Sequence, residues 1–220
     1  LFYWGEFVKS AIDPILIILV LANLYLLVTC RIRSSIRVVA AQGIFLGLIP
    51  IFAHSEGELF RACLISFVSI ALKGLLFPLV LNRILVSTNL RREIEPIVGY
   101  TASVLIGVAL FIISLWLASK VPAVGHMYSV LALAVALSTM LIGLFFIVTR
   151  RKAINQILGY IILENGIFAF GFALDIEAGM IVELGILIDA LLAVSVMGLA
   201  VYHIHREYDG TDTDLLSALK

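Results

Sequence analysis

Long apolar runs separated by short polar links are the main pattern of this chain of 220 residues. Each run is close to the roughly 20 residues with which a helix, rising about 1.5 Å per residue, spans the hydrocarbon core of a bilayer. Backbone groups inside lipid must bond within their own segment, so helices are predicted. The runs lie at about 12–30, 36–53, 60–86, 97–118, 124–149, 152–174 and 179–205. The predicted fold class is all-α, a polytopic membrane protein with seven transmembrane helices.

The links between the runs predict how the helices are grouped. A polar and charged link at 86–95 divides the chain, so we expect an N-terminal three-helix membrane bundle over 1–95. A single linking transmembrane helix is expected over 96–123, followed by a second three-helix bundle over 124–206. The tail at 207–220 is expected to lie on the cytoplasmic surface.

Lysine and arginine are distributed unevenly between the links. With the N-terminus counted as the first boundary, the odd-numbered boundaries carry three cations, Lys9, Arg61 and Lys120. The even-numbered boundaries carry eleven, which are Arg31, Arg33, Arg37, Arg83, Arg91, Arg92, Arg150, Arg151, Lys152, Arg206 and Lys220. Loops rich in Lys and Arg stay in the cytoplasm, so the N-terminus is predicted outside and the C-terminus inside. The fifteenth cation, Lys73, lies within the third apolar run.

Composition narrows the functional classes. The chain is 62% hydrophobic, which excludes an ordinary soluble domain, and its formal net charge of zero gives no indication of a nucleic-acid partner. Cys30 and Cys63 fit no metal spacing and are predicted to be packing residues. The sequence contains no CxxC set, no HExxH motif and no glycine-rich nucleotide loop. We therefore expect the lipid bilayer as surroundings, no cofactor, no bound metal and no catalytic centre in this chain.

Three ionisable residues fall near the middle of predicted spans. Glu164 lies twelve residues after Lys152, which places it about 18 Å into its helix. Asp189 lies ten residues after Gly179 in the seventh run, and Lys73 lies near the middle of the third. A charge at this depth costs about 2.5–3.5 kcal/mol or more on insertion, so it is by default a functional hypothesis.

Two acids and one base at a similar depth can relay protons laterally where their helices adjoin or water connects them. The alternative is a buried ion pair, Lys73 with Glu164 or with Asp189, that only stabilises helix packing. The relay is favoured because one cation leaves one acid unpaired within the chain, and an unpaired charge in lipid is costly. A cation from a partner subunit would remove that argument.

Other polar residues extend the candidate pathway. Glu183 lies one turn inside the outer end of the seventh run, and His203 follows Asp189 by fourteen residues, about four turns on the same face. An imidazole near the inner surface can pass protons to water, whereas the alternative is an interfacial histidine without a function. Pro78 predicts a weakened helix one turn after Lys73. Three polar residues in otherwise apolar runs are predicted to bond neighbouring helices, namely Asn23, Gln42 and Asn155.

Several segments resemble the E component of hydrogenase-4-type complexes (HyfE). They are NQILGYIILEN at 155–165, VELGILIDALLAV at 182–194, and the tail at 210–220 with its closing LLSALK. Lys73, within SIALKGLLFPLVL, fits the same family. More distantly, spans five to seven are similar to NuoK of complex I and to the C subunit of Mrp-type antiporters. Compared with NuoK, the glutamate falls three residues later relative to Gly159, and Asp189 replaces a glutamate.

This resemblance implies a membrane-arm subunit of a group 4 NiFe hydrogenase, a formate hydrogenlyase or a related complex-I-like machine, in the prokaryotic cytoplasmic (inner) membrane. Its implied partners are antiporter-like and quinone-site-like membrane subunits and, indirectly, the NiFe hydrogenase arm. Such a subunit contributes charged residues to proton or sodium translocation. The expected ion-pathway residues are Glu164, Asp189, Lys73, Glu183 and His203. The alternative is a structural adaptor that bridges membrane subunits without conducting ions.

Overall fold

A computed structural model describes most of the chain. The described residues are 2–53, 59–87, 98–121, 129–150, 152–174, 191, 193–198 and 200. In chain order the helices are α1 (Phe2–Val28), α2 (Ile32–Ala53), α3 (Leu59–Ser69), α4 (Phe77–Ser87), α5 (Tyr100–Lys120), α6 (Val130–Thr149) and α7 (Ala153–Ala173). A π-helical segment, Ile70–Leu76, joins α3 to α4 without a break. Residues 193–198 are also helical.

Five helical segments in the described part of the chain are long and apolar enough to cross a membrane. They are Ile32–Phe52, Leu59–Val86, Tyr100–Lys120, Val130–Thr149 and Ala153–Ala173. A shorter apolar stretch, Ile12–Val28, belongs to α1. The all-α class is therefore confirmed, and five of the seven predicted spans correspond to these segments. The predicted first span falls on the shorter apolar stretch of α1, and most of the predicted seventh lies outside the described residues.

The helices pack as a layered bundle in which α6 and α7 make the most extensive contact among the described elements. Helix α1 contacts α2, α5 and α6, and α2 also contacts α7 and the π-helical segment. Helix α5 presents many large apolar side chains outward, including Leu105, Ile112 and Trp116. Lipid or a partner subunit can cover such a surface without removing polar groups from water. Cys30 and Cys63 are exposed, so the prediction that they are packing residues does not hold for the core of the described bundle.

Glycines allow α6 and α7 to approach closely. A Cβ atom added at Gly143 would lie 2.5 Å from the backbone nitrogen of Leu163, and one added at Gly159 would lie 2.8 Å from that of Ile147. Real Cβ atoms do not approach backbone atoms this closely, so a side chain at either position would force the helices apart. Small residues at helix contacts serve the same purpose throughout membrane proteins.

A second close contact places α2 against the π-helical segment. A Cβ atom at Gly43 would lie 2.5 Å from Lys73 Cβ, and one at Gly47 would lie 2.8 Å from the side chain of Ile70. Gly43 and Gly47 are four residues apart and therefore lie on one face of α2. This face brings α2 directly against the backbone that carries Lys73.

The π-helical segment is centred on Lys73 and precedes Pro78. The backbone N–H of Phe77 donates to the carbonyl of Leu72, the five-residue spacing of a π-helix. Pro78 has no N–H with which to continue this series to Lys73. The sequence predicts a weakened helix near Pro78, and the irregular backbone lies on the N-terminal side of the proline and includes the lysine. Such segments occur frequently at functional sites.

Candidate functional site

A polar layer crosses the bundle between two apolar clusters. One cluster contains Leu26, Ile36, Leu81, Phe146 and Leu158, and the other contains Leu16, Leu46, Ala134 and Ala169. The polar layer consists of Asn23, Gln42, Ser66, Ser69, Lys73, Ser138, Thr139, Glu164 and Asn165, all of which are buried. Along each of α1, α2, α6 and α7, the polar residues lie between residues of one apolar cluster and residues of the other. The fold therefore collects these nine buried polar side chains at one level.

Lys73 and Glu164 form an ion pair at the centre of this layer. Lys73 Nζ lies 2.8 Å from Glu164 Oε1, and the two residues are 1% and 4% exposed. The atoms are in charge contact without the alignment of a hydrogen bond, and Glu164 Oε2 meets no donor among the described residues. Removing one partner of a buried pair typically costs about 3–5 kcal/mol. The pair thus joins the span Leu59–Val86 to α7.

Phe168 adds a second contact to the lysine. Lys73 Nζ lies 4.7 Å from the centroid of the Phe168 ring. Phe168 follows Glu164 by four residues on α7, so both face the ammonium group from one side of the helix. Aromatic rings stabilise desolvated cations by up to about 2 kcal/mol. The ring therefore keeps the ammonium group next to the carboxylate.

Hydrogen bonds continue the polar layer from α2 to α6. Gln42 Nε2 donates to Asn23 Oδ1, and Asn23 Nδ2 donates to Thr139 Oγ1, each at 2.8 Å. The Thr139 hydroxyl then donates to the carbonyl of Val135 at 2.7 Å. Each side chain in this series donates to the next, from Gln42 through Asn23 to Thr139. Gln42 begins the series, and its Oε1 is a buried acceptor without a donor among the described residues. The prediction that Asn23 and Gln42 bond neighbouring helices is confirmed.

Other buried polar groups lack partners within the described part of the chain. Ser66 Oγ, Ser69 Oγ and both side-chain polar atoms of Asn165 belong to this group. Ser66 and Ser69 lie on the buried face of α3, on the N-terminal side of Lys73. Asn155 is also buried, and its side-chain amide has no hydrogen-bond partner among the described residues, so the prediction that it bonds a neighbouring helix is not confirmed there. Buried polar atoms are usually satisfied by protein groups or by ordered water, so the layer has capacity to bind water.

Arg150 is buried where α6 ends. Its Nη2 donates to the carbonyl of Leu27 at 3.3 Å, and its guanidinium carbon lies 4.7 Å from the centroid of the Phe146 ring. Burial lowers the pKa of Arg150, and Tyr100 opposes this shift. A cation at the C-terminal carbonyls of α1 is favourable for the helix dipole. Arg150 therefore connects the end of α1 to the α6–α7 link. The sequence did not indicate this role, because Arg150 lies in a polar link among other cations.

The structure brings together only some of the predicted site residues. Lys73 and Glu164 are in direct contact, whereas Asp189, Glu183 and His203 lie outside the described residues. Phe168 was missed, although its spacing of four residues from Glu164 is visible in the sequence. No group of three or more His, Cys, Asp or Glu that could hold a metal occurs in the described ranges.

The fold and the buried pair together define a multi-pass α-helical membrane protein with charged groups inside its membrane spans. Comparison with known proteins gives the family. The chain is 30% identical over 203 residues to the uncharacterized protein Rv0085 of Mycobacterium tuberculosis, across 92% of each chain. It is 44% identical over 89 residues to hydrogenase-4 component E of Escherichia coli, and that alignment covers 40% of this chain and 41% of that protein. Hydrogenase-4 component E of Shigella flexneri matches equally.

The C-terminal part carries a further similarity. Residues 131–220 match the family described as NADH-ubiquinone/plastoquinone oxidoreductase chain 4L. No solved structure matches the chain significantly. The chain belongs to the HyfE-like family of membrane proteins, with a NuoK-like C-terminal segment. The resemblance inferred from the sequence is therefore confirmed.

Proposed function

We propose that this protein is a membrane-arm subunit of a complex-I-like, group 4 hydrogenase-type respiratory complex, and that its Lys73–Glu164 pair takes part in proton or sodium translocation. The observation that carries this proposal is a charged pair buried at the centre of the polar layer. The names of its relatives, hydrogenase-4 component E and chain 4L of an NADH-ubiquinone/plastoquinone oxidoreductase, support membership of such a complex. Electron transfer takes place in partner subunits.

The proposed arrangement has seven transmembrane helices in a prokaryotic cytoplasmic membrane, with the N-terminus outside and the tail in the cytoplasm. The asymmetric distribution of Lys and Arg supports this orientation. The proposed neighbours are antiporter-like and quinone-site-like membrane subunits, which would contact the outward apolar surface of the bundle. Large exposed apolar surfaces of this kind commonly mark lipid or protein contacts.

The geometry suggests how the pair moves a proton. In the resting pair the Lys73 ammonium group and the Glu164 carboxylate stabilise each other. A proton that reaches Glu164 Oε2, or passes from Lys73 to Glu164, removes the carboxylate charge and loosens the pair. Where the proton reaches Oε2 and Lys73 stays charged, the Phe168 ring retains the ammonium group near its position. Asp189, Glu183 and His203 are proposed as further positions along the route.

Glu164→Gln tests the proposal in the assembled complex reconstituted into vesicles. The amide keeps the size of the side chain but carries no exchangeable carboxyl proton, so we expect hydrogenase turnover without ion translocation above background. Ion movement per turnover is the measurement. Asp13→Asn, which neutralises an acid on α1 outside the polar layer, serves as the matched control and should translocate normally. Unchanged translocation in Glu164→Gln would remove Glu164 from the route.

A structural adaptor is the second candidate, and the closed ion pair favours it. Both charged groups are buried and 2.8 Å apart, so the pair can act solely as a link between helices. This alternative predicts that Glu164→Gln weakens assembly on a native gel, while the complexes that survive translocate ions normally. The two measurements on one variant therefore separate the two functions.

A further inference from the structure

One face of α1 is apolar and exposed along the C-terminal half of the helix. Ile17, Leu21, Tyr25 and Val28 are all exposed, and their spacing of three or four residues places them on one side of α1. From Ile17 to Val28 this face is about 16 Å long at a rise of about 1.5 Å per residue. That length is close to half of the roughly 30 Å hydrocarbon core of a bilayer. The face therefore matches the depth of one lipid leaflet.

Two hydroxyl groups meet where this face reaches the end of α1. The hydroxyls of Tyr25 and Ser34 lie 2.8 Å apart and share a hydrogen bond. Either oxygen can donate it, and the other hydroxyl then keeps its own hydrogen for a further acceptor. Ser34 lies in the first turn of α2, and its N–H and that of Ser35 both donate to the carbonyl of Arg31. This turn fixes the position of the two hydroxyls before any ligand binds.

Two arginines lie near the same hydroxyls. Arg31 and Arg37 are exposed, and both act electrostatically on the Tyr25 side chain. Neither is part of an ion pair within the described part of the chain, where the pair found is that of Lys73 with Glu164. Guanidinium groups bind phosphate through paired N–H donors. Two of them beside a hydroxyl donor therefore form a cluster that suits a phosphate group.

We propose that the α1–α2 corner, defined by Tyr25, Arg31, Ser34 and Arg37, binds the head group of an anionic phospholipid. The phosphate accepts hydrogen bonds from the guanidinium groups and a hydroxyl, while the acyl chains cover the apolar face of α1. A phospholipid carries these two parts in the same order as the protein surface, and basic sites at the membrane boundary are known to bind anionic head groups. The two positive charges favour a head group without a compensating amine.

The corner belongs to α1 and α2, whereas the ion pair of the polar layer joins the span Leu59–Val86 to α7. Lipid binding at the corner is therefore separate from the proposed ion translocation, and either one can fail without the other.

Native mass spectrometry of the purified full chain, stripped of lipid and then titrated, tests the site. Phosphatidylglycerol and phosphatidylcholine with identical acyl chains are compared, and we expect one phosphatidylglycerol to bind where phosphatidylcholine does not. Arg37→Gln removes charge-assisted hydrogen bonds, so it should raise the apparent dissociation constant of phosphatidylglycerol about tenfold. Arg31→Gln/Arg37→Gln should raise it further. Tyr25→Phe, which removes only a hydroxyl, should raise it about threefold.

Arg83→Gln is the matched control, because Arg83 is also exposed, lies near the end of α4 and loses the same charge. It should bind phosphatidylglycerol like the unmodified chain, and a loss equal to that of Arg37→Gln would show general attraction to charge and overturn the site. Equal binding of the two lipids would overturn it as well. So would unchanged binding in Arg31→Gln/Arg37→Gln, which would instead leave the arginines to an acidic partner protein.

Inorganic phosphate separates a lipid site from a simple anion site. It cannot cover the apolar face of α1, so it should neither displace phosphatidylglycerol nor raise the melting temperature of the full chain in detergent, whereas phosphatidylglycerol should raise it. Equal effects of phosphate and lipid would overturn the proposal. Should the double variant fail to fold, Arg37→Gln against Arg83→Gln decides, because both side chains are exposed and their loss removes no core contact.

Discussion

Replacement of Lys73 by methionine is expected to destabilise the folded protein by about 3–5 kcal/mol, because Glu164 is left buried without its counter-ion. Methionine matches the length of the lysine stem and can pack against the Phe168 ring. The loss therefore reflects the missing charge rather than missing volume. The double variant Lys73→Met/Glu164→Met is expected to recover most of the loss, because two apolar side chains leave no buried charge.

Thermal unfolding in detergent at fixed pH measures these variants as a double-mutant cycle. Lys120→Met provides the matched control, because Lys120 lies at the exposed end of α5 and should change stability little. If the effects of Lys73→Met and Glu164→Met simply add, the two side chains do not interact in the folded protein. A large interaction energy together with loss of translocation in both single variants would support the proposed function and the packing role at once.

Leucine at Gly143 is expected to cost about 3 kcal/mol or more, because extra atoms in a closely packed contact force backbone shifts. The added Cβ atom alone would lie 2.5 Å from the backbone nitrogen and 2.7 Å from Cα of Leu163. No rotation of the new side chain relieves these contacts, since Cβ is fixed by the backbone. Leucine at Gly159 is expected to have a similar effect from the opposite helix.

Gly171→Leu is the control on α7, because a Cβ atom there meets nothing within 4 Å. The melting temperature and the yield of monodisperse protein in detergent are the measurements. Gly143→Leu and Gly159→Leu should lower both, while Gly171→Leu should leave them near those of the unmodified protein. Equal stability of all three variants would show that α6 and α7 do not rely on close backbone contact.

The positions of the membrane helices could be predicted closely where apolar length alone defines them. The run at 152–174 corresponds to α7 at Ala153–Ala173, and the run at 60–86 corresponds to the span Leu59–Val86. The beginning of α6 was predicted less well, at 124, whereas the helix begins at Val130. Ser129 caps it by accepting a hydrogen bond from Ala132 N at 3.0 Å. Hydropathy does not register a cap, because capping depends on one hydroxyl group.

The candidate site was predicted as a set of residues but not as a geometry. The free-energy cost of placing a charge inside the bilayer is enough to identify Lys73 and Glu164 in the sequence, because few charges lie so deep in apolar runs. Depth along separate helices does not say which side chains meet, so pairing of Lys73 with Glu164 or with Asp189 remained open. The close contact between α2 and the backbone at Lys73, which Gly43 permits, belongs to the packed bundle.

The sequence by itself therefore determined an all-α membrane protein of the HyfE-like family and the two charged residues, Lys73 and Glu164, that lie deep in its apolar runs. Local hydropathy and residue order are sufficient for these conclusions. Only the tertiary structure decided that Lys73 meets Glu164 and Phe168 and that a π-helical segment carries the lysine. Those features depend on contacts between residues distant in the chain, and such contacts are set by how the helices pack.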